Sequence, residues 1–240
     1  MALKTKVCII STLILMAACL LVMYISRDLD RKEVARKGVE LVTAINTLNR
    51  ELEPRGLGNV WPRAEWPYQK LFEDRDHISD KAFTNAESYF EFLLDGTRIG
   101  QSDWKPYVEG IDYSHLGGAD VPIKRGGGKL SGTNVMWCIL ADFGPEQEDI
   151  TPVLVTRNVD VDLLAAAMRG RILPNDKTPV TLGGDFATPF GDKTAIIVTG
   201  TGKVLILEGK NLTLGACFDN KRYGMVVGAH RIPRYLKPSK

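Results

Sequence analysis

An unbroken apolar run from Val7 to Ile25 carries no charge, and the helical pattern does not stop where the run stops. From Val34 a seam of Val34, Gly38, Leu41, Ile45, Leu48 and Leu52 continues at spacings of 4, 3, 4, 3 and 4 residues. That spacing keeps one stripe of a helix apolar and suits packing on a neighbouring helix or on the chain's own domain. The two stretches predict one continuous helix from Val7 to Glu53, greasy in its first half and amphipathic in its second. It would be about 70 Å long and end at Pro54, Gly56 and Gly58. Gly38 on the seam weakens the helix but permits close approach of a packing partner.

The apolar run holds 19 residues, against about 20 needed to cross a hydrocarbon core. It reads as a retained anchor with membrane lipids around residues 7–25. A cleaved secretory signal fits less well, because its apolar region would span about 7–15 residues. Met16-Ala17-Ala18-Cys19 looks like a lipobox and makes lipidation at Cys19 the alternative, although Leu20 to Met23 extend the apolar stretch past it. Lys4 and Lys6 precede the run; Arg27, Arg31, Lys32, Arg36 and Lys37 follow it. Counted strictly, these charges would hold the head in the cytoplasm. A short flank followed by a single apolar run is how signal-anchors begin, and this favours an exported head.

The expected organisation is a flank at 1–6, a transmembrane anchor at 7–25, an amphipathic helix at 26–53 and a globular head at 54–240. A net charge of +2 gives no reason to propose a nucleic-acid partner. Arg231, Arg234, Lys237 and Lys240 make only the tail basic, and the tail reads as a solvated, partly disordered end. Within the head, Ala86, Tyr89, Phe90, Leu93 and Leu94 predict a helix over 85–94, with Gly96 as its stop. Residues 96–132 read as a long loop. Asn134–Phe143 is continuously apolar for seven residues, as in a strand buried on both faces. Thr151–Val159 predicts a second strand and Asp160–Met168 a short helix capped by Asp160 or Asp162. Thr194–Val198 and Lys203–Leu207 predict a hairpin around Gly200-Thr201-Gly202, and Met225–Val227 a further strand. The fold class expected is α+β: the long helix packed on a small, mainly antiparallel sheet.

Sites of chemistry are hard to find. Thr199-Gly200-Thr201-Gly202-Lys203 lacks the first glycine and the final Ser or Thr of a phosphate loop, so it reads as a hairpin turn. Lys124–Lys129 reads as an exposed loop. Asn158, Asp160 and Asp162 mimic the start of a calcium loop, but Leu163 and Arg169 stand where glycine and glutamate are needed. Asp142, Glu146, Glu148 and Asp149 read as a solvated acidic turn. His77, His115 and His230 stand alone, without zinc-ligand spacing, and no nucleophile elbow occurs. Asp74, Asp76, Asp80, Asp95 and Asp103 are scattered carboxylates. The expectation is a protein without catalytic, cofactor or metal residues. Cys138 and Cys217 could form one disulfide in an oxidising compartment; alternatively Cys138 is an inert, buried thiol.

A membrane-spanning helix that runs directly into an amphipathic half and an α/β head resembles a type IV pilin or type II secretion pseudopilin. In the head, Tyr89-Phe90…Leu93, Asn134–Cys138, Thr151-Pro152…Thr156-Arg157-Asn158 and Pro189–Lys193 are similar to the heads of divergent pseudopilin-like proteins. The resemblance implies a bacterial inner-membrane, single-pass subunit of a secretion or pilus-type envelope assembly, with its head in the periplasm and other pilin-like subunits as partners. It departs from the pattern in two respects: Lys6 stands where those proteins carry glycine, and no glutamate occurs before Glu33. Processing and charge-guided fibre assembly are therefore not implied. The rival expectation is a stand-alone, membrane-tethered or lipidated binding module.

Overall fold

The apolar run of the head becomes the middle of a sheet. In the computed structural model, residues 2–52, 54, 61–62, 83–94, 110–117, 130–141, 143–144, 147–170, 177–183, 193–221 and 234–239 are described. Strands β1 (Trp137–Ala141), β2 (Pro152–Thr156), β3 (Thr194–Thr199), β4 (Val204–Glu208) and β5 (Arg234–Leu236) form one sheet in the order β4-β3-β2-β1-β5. Every neighbouring pair is antiparallel. β1, β2 and β3 are buried along their whole length, whereas β4 is a half-exposed edge.

Helix α1 (Ala2–Leu52) is continuous and about 75 Å long. Its second half lies over β2, β3 and β4. Side chains alternate across a strand, so Trp137, Ile139, Leu154 and Val198 share the face that α1 covers, while Cys138, Val155 and Ile197 point away. Helix α3 (Val161–Arg169) contacts β5 and the short α4 (Leu214–Cys217), and α4 contacts β4. Together they cover the second face. This explains why the central strands read as unbroken apolar runs rather than alternating ones. Helix α2 (Ala86–Leu94) packs near β1 and buries Tyr89, Phe90 and Leu93.

Local chemistry sets the ends. Asn85, expected inside α2, caps it instead: its side-chain oxygen accepts the Ser88 N–H at 2.9 Å. Asp160 caps α3 by accepting from the N–H groups of Asp162 and Leu163. The 199–203 segment is the expected hairpin turn, with Gly202 at φ +84°. The pairing of α+β architecture and antiparallel sheet follows expectation. Gly56, Gly58, Gly96, Lys124–Lys129, Pro189–Asp192 and Met225–Val227 lie outside the described residues, as do His77, His230 and the carboxylates at 74, 76, 80, 95, 103, 142 and 146.

The tail corrects its expectation. Arg234–Leu236 is not a solvated end but the edge strand β5, paired to β1 at Ile139, Leu140 and Ala141. Tyr235 and Leu236 are buried, and the Tyr235 hydroxyl donates to the Pro152 carbonyl at 2.7 Å. Beyond the strand, the Lys237 carbonyl accepts the Ala86 N–H at 3.0 Å and its ammonium meets Asp162 at 2.5 Å. Glu87 accepts from the Ser239 N–H at 2.6 Å. Arg234 and Lys237, two of the basic residues that suggested solvation, flank two buried apolar side chains, and those decide the outcome.

Candidate functional site

The two halves of α1 are the candidate site, and they meet different surroundings. Every large apolar side chain described from Ile9 to Ile25 is between 48% and 70% exposed. The helix that carries this stretch is long and apolar enough to cross a membrane. Cys19 lies within it, exposed. Nine residues after Ile25 the environment inverts: Val34, Ala35, Leu41, Val42, Ile45 and Leu48 are buried, with Leu41, Val42 and Ile45 fully enclosed.

The seam is filled by the chain's own head. At Gly38 an added Cβ would lie 3.0 Å from the Trp137 Cη2 and 3.0 Å from the Val198 Cγ2, so the missing side chain lets the helix backbone rest on the indole. Of the two seatings open to this spacing, the intramolecular one is realised. As a surface for a neighbouring subunit, Val34, Gly38, Leu41, Ile45 and Leu48 are already occupied. The Leu52 side chain lies outside the described residues.

Polar contacts tie the same helix down at three levels. Near its entry to the head, Arg31 forms an ion pair with Glu208 at the end of β4. Further along, the Asn46 amide donates to the Gly200 carbonyl at 2.8 Å and accepts from the Trp61 indole N–H at 3.2 Å. Between them lies a cluster that no sequence spacing announces. His115 sits in a 3-10 turn (Tyr113–His115) against α1. Its Nδ1 accepts the Asp112 N–H at 3.2 Å, which leaves Nε2 to donate to Glu40 at 3.1 Å. The Trp137 indole N–H donates to the His115 carbonyl at 3.0 Å. His115 and Glu40 are 75 residues apart, so only the fold could bring them together.

Serine, histidine and two carboxylates here do not form a nucleophilic triad. The Ser114 hydroxyl donates to Asp112 at 2.5 Å rather than to the imidazole, so no base faces the hydroxyl. That hydroxyl, with the Ser114 N–H, holds the Asp112 carboxyl below its ordinary value. The arrangement fastens a loop to a helix. Asn158 and Asp160 likewise serve the fold: the Asn158 amide donates to the Thr194 carbonyl at 2.9 Å, and Asp160 caps α3. Among the described residues, no three His, Cys, Asp or Glu side chains gather as metal donors.

Of the two alternatives for Cys138 and Cys217, the bridge is not formed; both are buried, free thiols. Cys138 lies on β1, and Cys217 on α4 beside β4. β2 and β3 intervene, and three strand spacings of about 4.8 Å exceed the reach of a disulfide. Burial pushes each thiol up to about 12. Neither is an activated nucleophile.

Compared with protein-family models, curated proteins and solved structures, the chain matches none.

Proposed function

We propose that this chain is a single-pass, membrane-anchored structural or accessory subunit of a bacterial secretion or pilus-type envelope assembly, pseudopilin-like in build. One observation carries the reading: a single helix supplies both an exposed apolar length of membrane-spanning size and the spine of an antiparallel head. A head locked to its anchor in this way moves with it as one body. The anchor is in the inner membrane and the head in the periplasm. Contacts with pilin-like or secretion subunits then fall on the exposed flank of α1 and on the outer surface of the head, because the seam is closed.

The closed seam also favours a second reading. A head that satisfies its own helix needs no neighbour to fold, as suits a stand-alone tethered binding module, with lipidation at Cys19 as its variant.

Photo-crosslinkers placed at Leu13, Leu20 and Thr47, all exposed, separate the two in the native membrane. Crosslinks to pilin-like or secretion components are expected. Crosslinks to lipid alone would overturn the assembly reading in favour of the tethered module. Fatty-acid labelling lost in Cys19→Ala would identify the lipidated variant. A reporter fused after Lys240 that is active only in the cytoplasm would refute the periplasmic head.

A further inference from the structure

An open cleft of about 690 Å³ lies where β3 begins and β4 ends. Its floor is apolar, from Val180, Leu182 and Leu212, and its rim is polar, from Lys193, Glu208 and Asn211. Glu208 pairs with Thr194 across the sheet and with Arg31 on α1, so the cleft opens at the level where the helix enters the head. Arg31 is six residues beyond Ile25, which is about 9 Å along the helix. If residues 7–25 fill the hydrocarbon core, that height lies in or just above the headgroup layer, about 5–8 Å thick on each side.

The charges suit the place. Arg31 neutralises the carboxylate in the cleft wall. Lys193 lines the cleft, and Lys210 stands exposed on the turn directly after β4. Of the two acidic neighbours on the helix, Asp28 and Asp30, the first is paired with Lys32. An apolar floor beside an ammonium, held at headgroup height, fits a ligand with a negative head and a greasy stem.

We propose that this cleft seats an anionic phospholipid from the bilayer that holds α1. The phosphate sits by Lys193 and Lys210, and the upper part of the lipid lies against Val180, Leu182 and Leu212. The lipid thereby sets how the head rests on the membrane. This rests on the reading of α1 as a membrane-spanning helix.

The test uses the full chain in nanodiscs of mixed phosphatidylcholine and phosphatidylglycerol, with lipids retained after mild detergent release counted by native mass spectrometry. The wild type is expected to retain phosphatidylglycerol over phosphatidylcholine by about fivefold per contributing lysine. Lys193→Gln with Lys210→Gln should abolish the preference. Asn211→Trp, which keeps both lysines but fills the cleft mouth, should abolish it too. Equal retention of both lipids by a wild type that resists alkaline extraction would overturn the proposal and leave the anchor intact. Loss of preference in the lysine variant but not in Asn211→Trp would also overturn it, since diffuse attraction would then suffice. Extraction of the wild type by alkali would instead refute the anchor. Unchanged melting of each variant shows that the head is folded.

Discussion

The first and second halves of α1 are both helical and both carry leucine, isoleucine and valine along one continuous rod, yet one is bare and the other is core. Between Ile25, 48% exposed, and Val34, 2% exposed, the helix passes a charged collar of Arg27, Asp28, Asp30, Arg31 and Lys32. Below the collar, apolar side chains surround the whole helix; above it they keep to a stripe. A helix apolar all round must be enclosed on every side, as a bilayer does, whereas a striped one needs a single sheet. With α1 as the proposed anchor, the same residue types contribute to two different free energies, membrane partition and head folding, along one rod.

Substitutions in the two halves should separate those energies. Leu41→Glu buries an unpaired charge in the fully enclosed seam and should abolish cooperative urea unfolding of the head. Leu41→Ala should cost about 2–5 kcal/mol, while Leu13→Ala leaves head unfolding unchanged. If Leu41→Ala proved silent, the seam would not be the core of the head. Next in size, Leu15→Arg should weaken membrane insertion by about 2.5–3.5 kcal/mol, read as extraction by alkali, without shifting the melting of the head. A head that melts differently would show that the halves are coupled.

Gly38→Leu should destabilise the head by about 1–3 kcal/mol in urea titration, despite the better helix propensity of leucine. Its side chain has no room over Trp137 and Val198. Smallest of all, His115→Ala should cost about 1 kcal/mol, and a double-mutant cycle with Glu40→Gln should show coupling. The acid side follows from Asp112. Its folded value is depressed below 3.8, so its contribution is present above that value and is lost as pH falls through the folded one. Melting followed into the acid range should drop in the wild type more than in Asp112→Asn.

Much of this build was legible because it rests on periodicity. The seven-residue apolar stretch beginning at Val135 marked a two-face-buried strand, the glycines at 200 and 202 marked a hairpin, and Asp160 marked a helix start. β5 escaped notice because three residues, Arg234–Leu236, carry no period, and because flanking charges imitate a solvated tail. α4 escaped for the same reason of length. The Glu40–His115–Asp112 cluster was invisible because Glu40 lies 75 residues from His115 and each member is unremarkable alone. The choice between a cysteine bridge and buried thiols stayed open in the sequence because a count of thiols says nothing about which strands lie between them.

By itself the sequence determined that a long helix exists, which stretch of it is apolar all round and which stretch has one apolar stripe, since those are properties of order along the chain. Only the tertiary structure decided what the stripe touches. Heptad-like spacing specifies a face but not its occupant, and Gly38 fits the approach of a second helix as well as that of an indole. The choice fell to the chain's own sheet, where Trp137 and Val198 stand on the same face and close the seam from within.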